Sequence, residues 1–450
     1  MTLSPAEKYA AAKTRIKYSL TQEFSEQFEY PFDDFQNIAC NHLEDGKSVL
    51  VAAPTGAGKT IVGEFANFLA LKKGVKSFYT TPIKALSNQK YQEFCARYGD
   101  GNVGLLTGDT SINGEAPLVV MTTEVLRNMI YARSNDINEL GFVIMDEVHY
   151  LADRFRGAVW EEILIHLPEK IQIAALSATV SNAEEFGDWL KTVRGDTEIV
   201  LSELRPVPLY QHILIGNRLL DLFVDDGRVN PEIQRLEKNS MRTIPGKTFK
   251  SPNRSFTTVK QLNRPEVVEL LKDRSFIPAI FFIFSRAGCD GAVEQCLKAN
   301  IYLTSKDERA LIRKVIERRT AELPHEDFGV LKFHEWCEAA ERGIAAHHAG
   351  LLPMFKETIE ELFQRGLLKV VFATETLALG INMPARTVFL EKLIKWNGES
   401  HSVISPGEYT QLTGRAGRRG IDIEGNAIVM WSEQIDSSIA AGLASTRTYP

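Results

Sequence analysis

Short apolar runs alternate with longer stretches whose apolar positions recur at helical spacing. Val49-Leu50-Val51-Ala52 is the first such run, and Ile61 through Phe68 carries an amphipathic helical pattern behind it. Ser77–Thr81 predicts a second strand, with a helix opening over Pro82–Lys90. Leu118–Met121 predicts a third, followed by a helix carrying Arg127. Phe142–Met145 and Ile171–Leu176 read as buried strands. The rhythm returns with Ala279–Phe284, then Lys369–Ala373 and Ala427–Trp431, with a helix placing Leu352, Phe355, Ile359, Leu362 and Phe363 on one face. Repeated strand–helix units predict parallel sheets with helices on both faces. In such sheets, ligand groups gather at the C-terminal strand ends.

With 450 residues, two or three domains are expected. Hydrophobic residues at 44% and charged ones at 24% describe a soluble globular chain. A net charge of −6 speaks against a general basic coat and leaves room for a local basic groove. No run approaches membrane-spanning length and no signal-type segment opens the chain, so a cytoplasmic location is expected. Cys40, Cys95, Cys289, Cys296 and Cys337 suit a reducing compartment, and with His334 they complete no zinc set. Between Arg228 and Arg264, nine basic residues face only Glu232 and Glu237. Pro231, Pro245 and Pro252 interrupt this stretch, which reads as a basic arm for a phosphate backbone or as a solvated linker. Ser305–Glu322 alternates in charge sign and predicts a solvated helix.

The strand ends carry the chemistry. Ala53-Pro54-Thr55-Gly56-Ala57-Gly58-Lys59-Thr60 joins the first strand to its helix. Gly56 and Gly58 let backbone N–H groups converge on phosphate oxygens, Lys59 neutralises their charge, and the Thr60 hydroxyl suits Mg²⁺. Asp146 suits an outer ligand of that ion and Glu147 a base for attacking water; two acids at a strand end can also be a simple cap. Upstream, Tyr30 offers an aromatic face and Gln36 an amide, suited to adenine or merely to a hydrophobic helix entry. Near the end, Arg415 and Arg418 are spaced one helical turn apart, with Gln411 a turn earlier. They read either as arginine fingers for a γ-phosphate or as a surface cluster.

Together these stretches resemble the superfamily 2 DExH-box helicases, in the superkiller (antiviral) RNA helicase family, from about Tyr30 to Trp431. Tyr30–Gln36 resembles the family's adenine-reading segment, with tyrosine where phenylalanine is usual, and Gly380 falls in motif V. The resemblance implies two tandem RecA-like domains, each a parallel sheet with helices on both faces, and nucleotide in the cleft between them. It implies ATP and Mg²⁺ as cofactors and 3′-to-5′ movement on RNA. A DNA helicase of the related repair branch, or an RNA clamp gated by ATP, stands as the alternative. Strand contacts are implied for Pro82, Lys84, Asn88, Gln89, Thr122, Thr123, Arg127, Ser285, Arg286, Thr374, Glu375 and Thr376. Ser177-Ala178-Thr179 resembles the segment coupling nucleotide state to strand grip, and Glu391–Gly407 resembles a duplex-wedging hairpin. A monomer acting on single-stranded RNA or a tailed duplex, with RNA-degradation machinery as partner, is the implied setting. The implied divisions are 1–29, an N-terminal extension; 30–202, the first RecA-like domain; 203–274, a basic linker or insert; 275–435, the second RecA-like domain; and 436–450, the start of a truncated winged-helix region.

Overall fold

The computed structural model describes residues 17–152, 157–178, 183–224, 227–240, 261–377, 383–396, 400–432 and 437–445. The chain divides into two compact units between Arg205 and Pro206. In the first, β1 (Ser48–Ala52), β2 (Lys76–Thr81), β3 (Val103–Leu106), β4 (Ser111–Ile112), β5 (Leu118–Thr122), β6 (Leu140–Met145), β7 (Gln172–Ser177) and β8 (Thr197–Leu201) form one sheet. Its order is β4-β3-β5-β2-β6-β7-β1-β8. Every neighbouring pair is parallel except the edge pair β3–β4, which departs from the all-parallel expectation.

Alternating side chains of each strand enter different cores, because successive Cβ atoms point to opposite faces. Val49, Val51, Phe142 and Ile144 pack with the helices over 34–44, 60–73 and 84–98. Leu50, Val143, Met145 and Ala175 pack with those over 123–131, 157–166 and 183–194. Burial on both faces is why the central strands read as unbroken apolar runs.

The second unit repeats the plan. Its strands are β9 (Leu209–Ile215), β10 (Arg218–Asp221), β11 (Ala279–Phe282), β12 (Ile344–His347), β13 (Val370–Ala373), β14 (Thr387–Leu390) and β17 (Gly425–Met430), in the order β10-β9-β17-β14-β11-β13-β12. Only β9–β10 is antiparallel. Ala279, Phe281, Val370 and Phe372 meet the helices over 264–273 and 286–298. Ile280, Phe282, Val371 and Ala373 meet those over 306–319, 333–341, 353–364, 406–413 and 437–445. A separate hairpin pairs β15 (Ile394–Trp396) with β16 (His401–Val403).

Two expectations change. The segment 203–274 was read as a basic linker or insert, yet β9, β10 and the helix Arg264–Asp273 are built into the second sheet and its core. Tyr210, Gln211 and His212 hide the strand pattern, but Gln211 accepts a bond from Tyr409 Oη and His212 lies against Asn426. The basic positions from Arg242 to Lys260 fall outside the described residues. The helix Lys306–Arg319 is solvated on one side only: Ile312, Val315 and Ile316 are buried, while Arg313 pairs with Glu341, and Arg318 and Arg319 pair with Glu361. The five cysteines are free thiols, and Cys40, Cys289 and Cys296 are buried.

Candidate active site

The loop after β1 turns at Gly56 (φ +81°) and Gly58 (φ +88°), conformations that a side chain with a Cβ rarely adopts. Helix Thr60–Lys73 then starts without a side-chain cap, so its terminal N–H groups and dipole face the loop. A Cβ on Gly63 would lie 3.0 Å from Ile144 Cγ2 and 3.2 Å from Tyr79 Cε2; its absence lets the helix sit close on the sheet. Lys59 Nζ donates to the carbonyls of Ala53 (2.8 Å) and Pro54 (3.1 Å), which keeps the ammonium over the loop. Pro54, Thr55, Ala57 and Thr60 complete the turn, with Ala57 buried.

Gln36 is buried, and its Nε2 donates to Gly58 O at 2.9 Å while its Oε1 accepts from Asp33 N at 2.8 Å. The expected adenine reader is therefore also a brace between its own helix N-terminus and the phosphate loop. Tyr30 is 49% exposed, with its ring centroid 5.6 Å from that of Phe28.

Asp146 and Glu147 differ sharply in environment. Asp146 is buried, accepts from Tyr79 Oη at 2.7 Å, and receives the Glu147 N–H at 2.9 Å. Burial, and then the neighbouring Glu147 charge, raise its pKa above the usual carboxylate range, against the pull of Lys90, Tyr79 and Lys59. Glu147 holds φ +57°, a strained conformation for a non-glycine residue. Its Oε2 is buried without a hydrogen bond among the described residues, 3.4 Å from His149 Nδ1. Burial, with Lys59 nearby, pushes the His149 pKa down to about 3, so the ring is neutral. Its Nδ1 accepts the Ala178 N–H at 3.4 Å and has no proton for Glu147. The stretch Asp146–His149 is thereby joined to Ser177-Ala178, while Thr179 lies outside the described residues.

Other strand ends lie alongside. Lys84 Nζ is 2.5 Å from Asp109 Oδ2, which also accepts from Thr107 through Oδ1. Thr123 is buried, and its hydroxyl donates to Thr81 O at 3.0 Å; Thr122 and Pro82 are buried beside it. Gln89 donates to Glu93, and Asn88 Oδ1 is buried without a hydrogen bond among the described residues. Arg127 Nη2 donates to Asn128 Oδ1 at 3.3 Å, and its Nε stands 3.8 Å from Glu162. Thr123 is thus a structural tie and Lys84 is exposed, whereas Arg127 is half-buried, its Nε buried without a hydrogen bond among the described residues.

In the second unit, Ser285 caps helix Arg286–Lys298, its Oγ accepting from Gly288 N at 3.2 Å, and Arg286 is exposed. Thr374 N donates to His347 O, and Glu375 pairs with Lys395. The Thr376 side chain and Gly380 fall outside what is described. Gln411 lies on helix Pro406–Thr413, but the shared helical face expected for Arg415 and Arg418 does not exist, because the helix ends at Thr413. Ala416 bridges to Ala385, and Gly417 takes φ +86° with its would-be Cβ 2.7 Å from Val207 Cγ1. Arg418 instead pairs two-pronged with Asp422 (Nε–Oδ2 and Nη2–Oδ1, both 2.8 Å), leaving Nη1 outside that pair. Tyr79, His149 and Asp422 were not among the expected site residues. Of these, Asp422 carried a spacing signal from Arg418, and His149 lies two residues beyond Glu147.

Residues 33–186 match the DEAD/DEAH box helicase family, and residues 293–420 match the helicase conserved C-terminal domain. The chain is 56% identical over 439 residues to the probable helicase HelY of Mycobacterium tuberculosis, covering 95% of this chain and 48% of that protein. It is 41% identical over 432 residues to Superkiller complex protein 2 of Mus musculus, covering 92% and 34%. It is 40% identical over 430 residues to the ATP-dependent RNA helicase mtr4 of Schizosaccharomyces pombe, covering 92% and 38%. The chain spans about half, or less, of the length of these relatives. No helix among the described residues is long and apolar enough to cross a membrane.

Proposed function

Because the chain belongs to the superfamily 2 DExH-box helicases, in their superkiller-type branch, we propose that it hydrolyses ATP to move 3′-to-5′ along a single strand, RNA in preference to DNA. The observation that carries this reading is the unequal acid pair. Both Asp146 oxygens are engaged, while Glu147 presents a buried oxygen without a hydrogen bond among the described residues. Two carboxyls with separated environments divide the labour, one placing charge and the other taking a proton.

The loop N–H groups and Lys59 would bind the β/γ-phosphates, with Tyr30 and Gln36 toward the base. Thr60 and Asp146 would hold Mg²⁺, since both offer the oxygen donors that this hard ion takes. When bound, that ion neutralises phosphate charge. Glu147 accepts the proton of the attacking water. Gln411, Arg415 and Arg418 stabilise charge developing on the γ-phosphate, with Asp422 fixing which edge of Arg418 is presented. Strand contacts run through phosphate and sugar, hence tolerate sequence. The RNA preference is supported by the mtr4 relative, and assembly into a larger complex by the superkiller one.

The test is ATP hydrolysis measured with RNA, with single-stranded DNA and with neither. Stimulation mainly by RNA is expected. Stimulation by DNA alone would transfer the reading to a DNA motor, and indifference to both would overturn it.

A further inference from the structure

Lys395 sits on β15, the first strand of the hairpin, and its side chain is only 17% exposed. Its Nζ lies 2.5 Å from Glu375 Oε2 and 2.5 Å from Glu408 Oε1. These carboxylates come from different places. Glu375 opens the short turn after β13. Glu408 stands in the first turn of helix Pro406–Thr413, which leads to Arg415 and Arg418. Its other oxygen accepts from Ser405 N at 2.8 Å and Ser405 Oγ at 3.0 Å, closing the helix cap. One ammonium therefore joins the hairpin to two segments, the turn after β13 and the helix leading to Arg415 and Arg418.

The hairpin is held differently at its other root. Glu391 forms a two-pronged pair with Arg264 (2.7 and 2.9 Å), at the start of helix Arg264–Asp273 packed in the sheet core. Leu393 and Ile404 are buried and bonded to each other through Ile404 N–H, so the base is fixed. Beyond the base, Trp396 is 57% exposed, its ring edge-on to His401 at 5.2 Å. The arrangement is an anchored base at Arg264–Glu391 with a separate connection at Lys395. Burial alone would lower the Lys395 pKa, but the two carboxylates more than offset it and raise it, so the group stays charged.

We infer that Lys395 is a positioning residue that transmits nucleotide state from the Glu375 turn and the Glu408 helix to the paired strands Ile394–Trp396 and His401–Val403. The inference rests on the ATP-motor reading. Its physical content is one bistable contact: moving Glu375 relative to Glu408 must stretch or release a shared cation, and the strand carrying that cation follows.

Amide hydrogen exchange of the whole chain, with and without a non-hydrolysable ATP analogue, tests this. In the unaltered chain the analogue should slow exchange at the phosphate loop and change exchange in those two paired strands, each by about tenfold. In Lys395→Met the phosphate-loop response should persist while the hairpin response disappears, and Lys395→Arg should retain both. Glu408→Gln keeps an acceptor for Ser405 and removes the charge; it should reproduce the methionine variant and serves if that variant folds poorly. A hairpin response surviving in Lys395→Met or Glu408→Gln overturns the inference. So does a silent hairpin in the unaltered chain whose phosphate loop responds. A silent phosphate loop is a different result, which brings down the ATP reading and the inference with it.

Discussion

Two strand-to-helix turns, one in each unit, start alike and are finished in opposite ways. β1 and β11 are both buried parallel strands followed in sequence by a helix. After β11, Ser285 adopts an extended conformation (φ −154°) and its Oγ accepts the Gly288 N–H, so the helix N-terminus is satisfied from within. After β1, a longer loop with two left-handed glycines delivers Lys59 to the N-cap position, and no side chain caps the helix. A helix start left uncapped costs stability, and it leaves donors oriented toward an anion. The same architecture thus yields a structural joint in one unit and, in the proposed reading, a phosphate cradle in the other. The polar groups around each differ accordingly. Gln36 bonds to Gly58 O, Tyr79 to Asp146 and His149 to the Ala178 N–H, tying separate segments together, whereas the Arg418 side chain pairs with Asp422 four residues on.

The largest consequence of this asymmetry concerns the cradle. Glu147→Gln should lower the rate constant for ATP hydrolysis by about 10⁴-fold while ATP still binds, since shape is kept and the proton acceptor is lost. Lys59→Ala should be as inactive and should also weaken ATP binding. Single-turnover hydrolysis and direct nucleotide titration separate the two, and ordinary turnover by the glutamine variant would refute the role of Glu147. The second unit's contribution comes next. Arg418→Ala should slow hydrolysis by about 10³-fold with little change in ATP affinity, because a group acting on developing charge is felt in the transition state. Asp422→Asn, which loosens the arginine without removing it, should fall between this variant and the unaltered chain.

How legible these features are in sequence follows from how local they are. The phosphate loop and the acid pair are contiguous, so their chemistry can be read from neighbouring letters. The two sheets are readable because strands buried on both faces leave apolar runs. Tyr79 is invisible by the same reasoning: it lies inside such a run, and only the β2–β6 pairing brings its hydroxyl to Asp146 across sixty-seven positions. His149 sits in the box, but its bond to Ala178 needs β6 and β7 to be neighbours. The helix expected to carry Arg415 and Arg418 fails for a local reason. Gly414, Gly417 and Gly420 follow it, and Gly417 must turn left-handed to let the chain pass Val207 and Gly425. Spacing alone suggested a face; the glycines were the contrary signal.

Tyr79 gives a smaller effect that tests whether the cradle's buried links matter. Tyr79→Phe removes one hydroxyl and keeps the ring packing against Phe94. A hydrogen bond to a charged group contributes about 1.5 kcal/mol, so hydrolysis should fall about tenfold. The loss should appear in catalysis more than in folding, since Asp146 stays in place through the Glu147 N–H. An unchanged rate constant would mean that Asp146 is positioned without the tyrosine.

The smallest effect separates the two helix starts themselves. Ser285→Ala removes the cap of helix Arg286–Lys298 and should destabilise the second unit by about 1 kcal/mol in denaturant unfolding. Because that cap is internal, the loss should be the same with or without nucleotide. The first helix start has no side-chain cap; Ile61 and Val62 N–H bond to Gly58 O and Lys59 O, and in the proposed reading a bound nucleotide adds its own contacts there. A nucleotide at a hundred times its dissociation constant adds about 2.7 kcal/mol to the state that binds it. Amides of Thr60–Gly63 should therefore gain protection against hydrogen exchange when an ATP analogue is added, and Ser285→Ala should leave that gain intact. If the serine variant also removed the nucleotide-dependent protection at Thr60–Gly63, Ser285 would belong to the nucleotide response, and the division between joint and cradle would not hold.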